Sequence, residues 1–124
     1  MKLLNRVAFV ALACGSATAA AQDSLAGTYK GDYEVYTSGV QRRLGMTLVI
    51  SEVEDGKVKG TATFQQGPCR GDYPVQGRVR DGVIGIVSTT KGGASGDCSF
   101  GFKGKVDGNR LVGNMGKYEV EFRK

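Results

Sequence analysis

The chain has no histidine and no tryptophan, and only three cysteines and two prolines among its 124 residues. Without histidine there can be no Ser-His-Asp or Cys-His nucleophile arrangement and none of the usual zinc sites, so neither a metal nor a cofactor is assigned. No apolar run approaches the ~20 residues of a membrane-spanning helix, and no helical periodicity follows residue 22. A strong charge surplus is also missing. The 17 basic and 12 acidic residues give +5; loss of Lys2 and Arg6 with a leader would leave about +3, a solubility charge that calls for no nucleic-acid partner.

What is present begins with a leader. Lys2 and Arg6 form a positive region, Val7–Ala13 a short apolar one, and Ala19 and Ala21 the small residues of an A-x-A cleavage site before Gln22. Residues 1–21 therefore read as a signal peptide and 22–124 as one exported domain, periplasmic or secreted. The rival is a lipid anchor at Cys14, which would make an outer-membrane lipoprotein. Its Leu12 lies two rather than three positions before the cysteine. Cleavage leaves Cys69 and Cys98 as a pair in an oxidising compartment, where a disulfide is the default and no C-x-x-C spacing suggests a redox site.

Alternation runs through the rest. In Gly27–Val35 the odd positions are apolar or glycine and the even ones polar, the period of a half-buried strand. Further strands follow from Met46, Leu48 and Ile50 (roughly Val40–Val53); from Val58, Gly60, Ala62 and Phe64; and from Tyr73, Val75, Gly77 and Val79. Val83–Ser88 is apolar on both sides, so both faces are covered or one meets a partner. Cys98, Phe100, Phe102, Gly104 and Val106 share a sixth face. Leu111, Gly113 and Met115 mark a seventh, and Tyr118, Val120 and Phe122 an eighth.

Asp55-Gly56, Asp81-Gly82 and Asp107-Gly108 are hairpin signals between these runs. In an up-and-down meander all three fall at one end. The Ser38-Gly39 turn, the Gln65–Gly71 and Thr89–Asp97 loops and the Gly116 connection gather at the other, with both cysteines. The expected fold is thus an all-β, antiparallel up-and-down barrel of about eight strands with one disulfide; a β-sandwich is the alternative. Lys30–Val35 also returns forty residues later as Arg70–Val75, a faint internal repeat.

Eight short strands with tight turns at one end and longer loops at the other resemble the calycin architecture of lipocalins and avidins. Gly27-Thr28-Tyr29 is similar to the G-x-W opening of those families, with tyrosine in place of tryptophan. The chain also resembles small exported proteobacterial β-proteins. Small periplasmic lysozyme inhibitors share its size and export signal, but Ser38-Gly39 is followed by Val40, Gln41 and Arg42 rather than their S-G-x-x-Y loop.

The functional expectation is a non-enzymatic binding protein. Arg42, Arg43, Arg70, Lys91 and Lys117, beside Tyr36 and Tyr118, form a cationic rim at the loop-bearing end that could take a small or anionic ligand. The alternative is a protein-interaction or inhibitor module acting through surface loops on an exported partner. Eight inward aromatics would fill a small barrel, whereas the inward glycines Gly27, Gly31, Gly60, Gly77, Gly104 and Gly113 could leave space for a ligand.

Overall fold

A sheet with one apolar face must bury it, and eight strands can do so by curling until the last meets the first. The computed structural model describes residues 25–124 and forms such a closed antiparallel barrel. Its strands follow in sequence order: β1 (Gly27–Thr37), β2 (Val40–Glu54), β3 (Lys57–Phe64), β4 (Gly71–Arg80), β5 (Val83–Ser88), β6 (Gly101–Asp107), β7 (Arg110–Met115) and β8 (Tyr118–Arg123). The expected signal peptide, its cleavage site at Ala21 and the lipidation candidate Cys14 lie outside the described residues.

The alternation orients the strands as expected. Tyr29, Met46, Leu48, Ile50, Val58, Ala62, Phe64, Tyr73, Val75, Ile84, Ile86, Phe102, Leu111, Val120 and Phe122 are buried, and no polar or charged residue among those described joins them. An apolar interior with a charged exterior is the reverse of a transmembrane barrel. Aromatic rings run through the centre: Tyr33 lies 6.3 Å from Phe64, Phe64 6.1 Å from Phe100, Phe100 6.3 Å from Phe122 and Phe122 5.2 Å from Phe102, all centroid to centroid. Edge and tilted contacts of this kind add to the area they bury.

The inward glycines do not leave room for a ligand. A Cβ built on Gly60 would fall 1.8 Å from the Val49 carbonyl oxygen, one on Gly77 1.9 Å from that of Gly85, and one on Gly113 2.1 Å from that of Lys103. Each glycine lets a neighbouring strand close onto it, so these positions tighten the wall.

Ser38-Gly39, Asp55-Gly56 and Asp81-Gly82 each hold both central residues at positive φ, the type I′ hairpin. The third D-G differs. Asp107 is the last residue of β6 and pairs with Arg110, so the turn is Gly108-Asn109 with only Gly108 at positive φ, a type II′ arrangement. A bulge at Ser51, between the pairs Ile50↔Gly60 and Glu52↔Lys59, shifts the inward parity so that Val53 packs against the core.

Cys69 and Cys98 form the expected disulfide, with Cα atoms 5.5 Å apart, which fits an oxidising, extracytoplasmic compartment. The cysteines precede β4 and β6 rather than beginning them. Cys98 instead exchanges two backbone hydrogen bonds with Gly92, of 2.8 and 2.9 Å, which folds the 89–97 loop back on itself.

The repeat expected at an offset of forty is not seen in the backbone, since Gly71 sits at φ 146° and Gly31 has no positive φ, but a different pair of units matches. The matching units are Gly27-Thr28-Tyr29 and Gly71-Asp72-Tyr73, each opening a strand with its glycine near φ +145° (144° and 146°). Both tyrosines are buried, and each hydroxyl donates to the carbonyl four residues earlier: Tyr29 to Leu25 at 2.6 Å and Tyr73 to Cys69 at 2.7 Å. Because β1 and β4 begin at opposite ends of the meander, one tyrosine plugs each end. Burial raises the Tyr29 pKa above its ordinary value, as expected for a phenol sealed in the core.

Candidate functional site

With Tyr73 under the disulfide-tied loops and rings filling the centre, the loop-bearing mouth offers no path inward. The opening is in the wall. β1 has 11 residues and β2 has 15, whereas β8 has only 6. The ladder between β1 and β8 consists of Lys30↔Arg123, and the ladder between β2 and β3 starts at Met46↔Phe64. Residues 32–44 therefore leave the barrel as a two-stranded ribbon, paired from Tyr33↔Leu44 to Thr37↔Val40, while the Gly45 carbonyl still accepts from the Gln65 amide at 3.2 Å. Among the described residues both outer edges of the ribbon lack a strand partner, a template for pairing with another chain.

At Gly31 the two strands still touch, since a Cβ there would fall 2.7 Å from the Glu121 carbonyl oxygen. Beyond it they part, leaving a cleft of about 780 Å³ between β1 and the β7–β8 hairpin. Tyr33, Tyr118 and Val120 line its depth, with Tyr33 and Tyr118 centroids 5.1 Å apart, so rings close the gap that backbone hydrogen bonds leave. Burial, with the neighbouring Tyr118 second, raises the Tyr33 pKa. At the tip of the ribbon Tyr36 is 75% exposed and Val40 56%.

The rim of the cleft is acidic overall. Asp32, Glu34, Glu119 and Glu121 line it against Arg43 and Lys117. Arg43 is committed to carboxylates: its Nη2 lies 3.0 Å from Glu34 Oε1 and its Nε 3.7 Å from Asp32 Oδ1. The Arg43 hydrogen bond, with one donated by the Gln41 amide, holds the Glu34 carboxyl below its ordinary pKa, and Glu34 in turn raises that of Arg43. Glu121 sits between Arg123 at 2.6 Å and Arg110 at 2.8 Å, and its carboxyl is likewise lowered, chiefly by Arg123. Lys117 Nζ stands 5.4 Å from the Tyr118 ring centroid.

Of the rim residues expected from sequence, the cleft gathers Arg43, Lys117, Tyr36 and Tyr118. Arg42 lies on the ribbon opposite Val35, while Arg70 and Lys91 are exposed in the two loops tied by the disulfide. The expected cationic ring is therefore dispersed. Asp32, Glu34, Glu119 and Glu121 join Arg43 and Lys117 in the cleft. Unequal strand lengths were the signal that could have found them, because a long first hairpin beside a short last strand must overhang.

Compared with protein families, curated proteins and solved structures, the chain matches none.

Proposed function

We propose that the chain is a non-enzymatic binding protein, exported to the periplasm or secreted, that takes an extended segment of a partner protein along the ribbon and cleft. The observation that carries this reading is the overhang of residues 32–44, whose strand edges are unpaired on both sides among the described residues. Strand addition draws affinity from main-chain hydrogen bonds and specificity from side chains beside the edge. Here Tyr36 and Val40 offer apolar anchors and the acidic rim favours a basic segment. The charges on the ribbon also discourage indiscriminate pairing.

A second reading, small-ligand capture, draws support from the size of the cleft, which lies within the range of small-molecule sites. An anionic ligand would meet an acidic rim whose arginine is already paired, so a cationic or zwitterionic one fits better. Tyrosine emission reports occupancy of the cleft by either kind of ligand, since Tyr33, Tyr36 and Tyr118 of the five tyrosines line it and no tryptophan obscures them.

The test is selection of displayed random octapeptides against the folded protein. Enriched basic peptides whose amide-shift changes map to Asp32–Tyr36 and Tyr118–Glu121, and whose affinity drops at least tenfold with Glu34→Lys/Glu119→Lys, are expected. Absence of enrichment, together with quenching of tyrosine emission by small amines, would transfer the site to the second reading.

A further inference from the structure

The net charge of the chain is small, but its distribution is not even. The acidic rim occupies the β8–β1 side of the barrel. On the far wall, β4 presents Arg78 and Arg80 outward and β6 presents Lys103 and Lys105. Between them runs β5, whose Ile84 and Ile86 point into the core and whose Val83 and Val87 stand outward, 40% and 57% exposed. The register aligns these residues in rows: Arg78↔Gly85↔Lys103 and Arg80↔Val83↔Lys105. Adjacent strands lie about 4.8 Å apart, so each row sets two cations roughly 10 Å apart with an apolar residue between them.

Gly85 and Gly101 deepen this arrangement, since a Cβ on either would have nothing within 4 Å. The result is a shallow trough along β5 with a valine floor and two cationic ridges. Arg78, Lys103 and Lys105 form no ion pair among the described residues, and Arg80 reaches only Asp81 at 3.8 Å, both side chains over nine-tenths exposed. Of the nearby acids, Asp107 pairs with Arg110, and Glu52 and Glu54 stand opposite Lys59 and Lys57 in the register of β2 and β3.

Unopposed cations around exposed aliphatic side chains match the two layers of an acidic bilayer surface, anionic headgroups above and acyl chains below. We propose that the β4–β6 wall is a peripheral binding surface for an anionic phospholipid bilayer, on the opposite side of the barrel from the ribbon. The valines enter the headgroup layer, and the ridges hold phosphates on either side. A protein held this way presents its cleft toward solvent, so the two surfaces can be occupied together.

Vesicle co-sedimentation of the purified exported chain tests this, with vesicles of phosphatidylglycerol and phosphatidylcholine against phosphatidylcholine alone. Each basic side chain at such a surface contributes about fivefold to partitioning, so Arg78→Glu/Lys103→Glu/Lys105→Glu should lower binding about a hundredfold or more. The charge-matched control Lys30→Glu/Arg70→Glu/Lys91→Glu, on β1 and in the disulfide-tied loops outside the two cationic ridges, should stay within a few-fold, and unchanged far-ultraviolet dichroism checks that both variants fold. Binding should also weaken steeply with salt, and Val83→Ser/Val87→Ser should lower what persists at high salt. The proposal is overturned by failure to bind acidic vesicles at low salt or by equal losses from the two triple variants. Binding of soluble polyphosphate in preference to vesicles would also overturn it.

Discussion

The inward glycines allow the packing account to be tested by one substitution with opposite outcomes at two sites. At Gly77, alanine would place a Cβ 1.9 Å from the Gly85 carbonyl oxygen and 2.8 Å from Ile86 Cα. An ordinary C···O contact is about 3.3 Å or longer, so β4 and β5 must separate by more than an ångström at the pair Gly77↔Ile86. Overpacking costs about 1–3 kcal/mol, and each weakened ladder hydrogen bond about 1 kcal/mol more. Reduced freedom of the unfolded chain returns about 0.4–1 kcal/mol. The expected net is a loss of about 2–3 kcal/mol, a large share of the stability of a typical small domain. At Gly85 the same substitution meets open space, so only the gain of about 0.4–1 kcal/mol remains. Urea unfolding followed by tyrosine emission and far-ultraviolet dichroism should therefore separate Gly77→Ala from Gly85→Ala by about 3 kcal/mol. Gly60→Ala and Gly113→Ala should behave like Gly77→Ala. Equal effects at Gly77 and Gly85, of either sign, would refute the claim that these glycines exist for strand approach.

Replacing both cysteines by alanine opens a loop with a sequence separation of 29, and should cost about 3.5 kcal/mol in the same unfolding assay. Tyr29→Phe and Tyr73→Phe each remove a hydroxyl donor to a carbonyl at 2.6 and 2.7 Å. Each should cost about 1 kcal/mol, and the double variant about the sum, because the plugs close opposite ends. Glu34 and Glu121 have lowered pKa values in the folded state. Their ion pairs therefore stabilise the fold above the ordinary glutamate pKa and are lost as pH falls through the lowered values. Carbon-13 titration should place both carboxyls below the ordinary glutamate value, and Arg43→Gln should return Glu34 toward it while leaving Glu121 in place.

Much of the barrel was legible because alternation is a strong local signal. It oriented Tyr29, Leu48, Phe64, Tyr73, Phe102 and Phe122 correctly, and the D-G turns fixed which strands lie side by side. What alternation cannot report is how far a strand extends past its neighbour. The overhang of Asp32–Leu44 depends on the registers at Lys30↔Arg123 and Met46↔Phe64, and barrel closure sets the first of these. The bulge at Ser51 was hidden for a related reason. Its only trace is the change of inward parity between Ile50 and Val53, which a reading confined to Met46, Leu48 and Ile50 passes over. The third turn slipped by one residue because a glycine at the first central position suits a type II′ turn, and Gly108-Asn109 supplies one as readily as Asp107-Gly108 supplies type I′. The apolar outer face of β5 was visible as Val83 and Val87, but the cations flanking it belong to strands β4 and β6 and come together only in the register.

Residue-resolved amide hydrogen exchange along β1 tests the central claim, an open seam that serves as the binding edge. Along Gly27–Gly31 the amides bonded to β2 should be protected, and protection on the β8 side should appear at the Lys30↔Arg123 pair. Along Asp32–Tyr36, those bonded to β2 should be protected and the alternate ones, facing β8, should exchange orders of magnitude faster until a selected peptide is added. Uniform slow exchange along the whole of β1 in the unbound protein would mean that the seam is closed by hydrogen bonds, and would contradict the account.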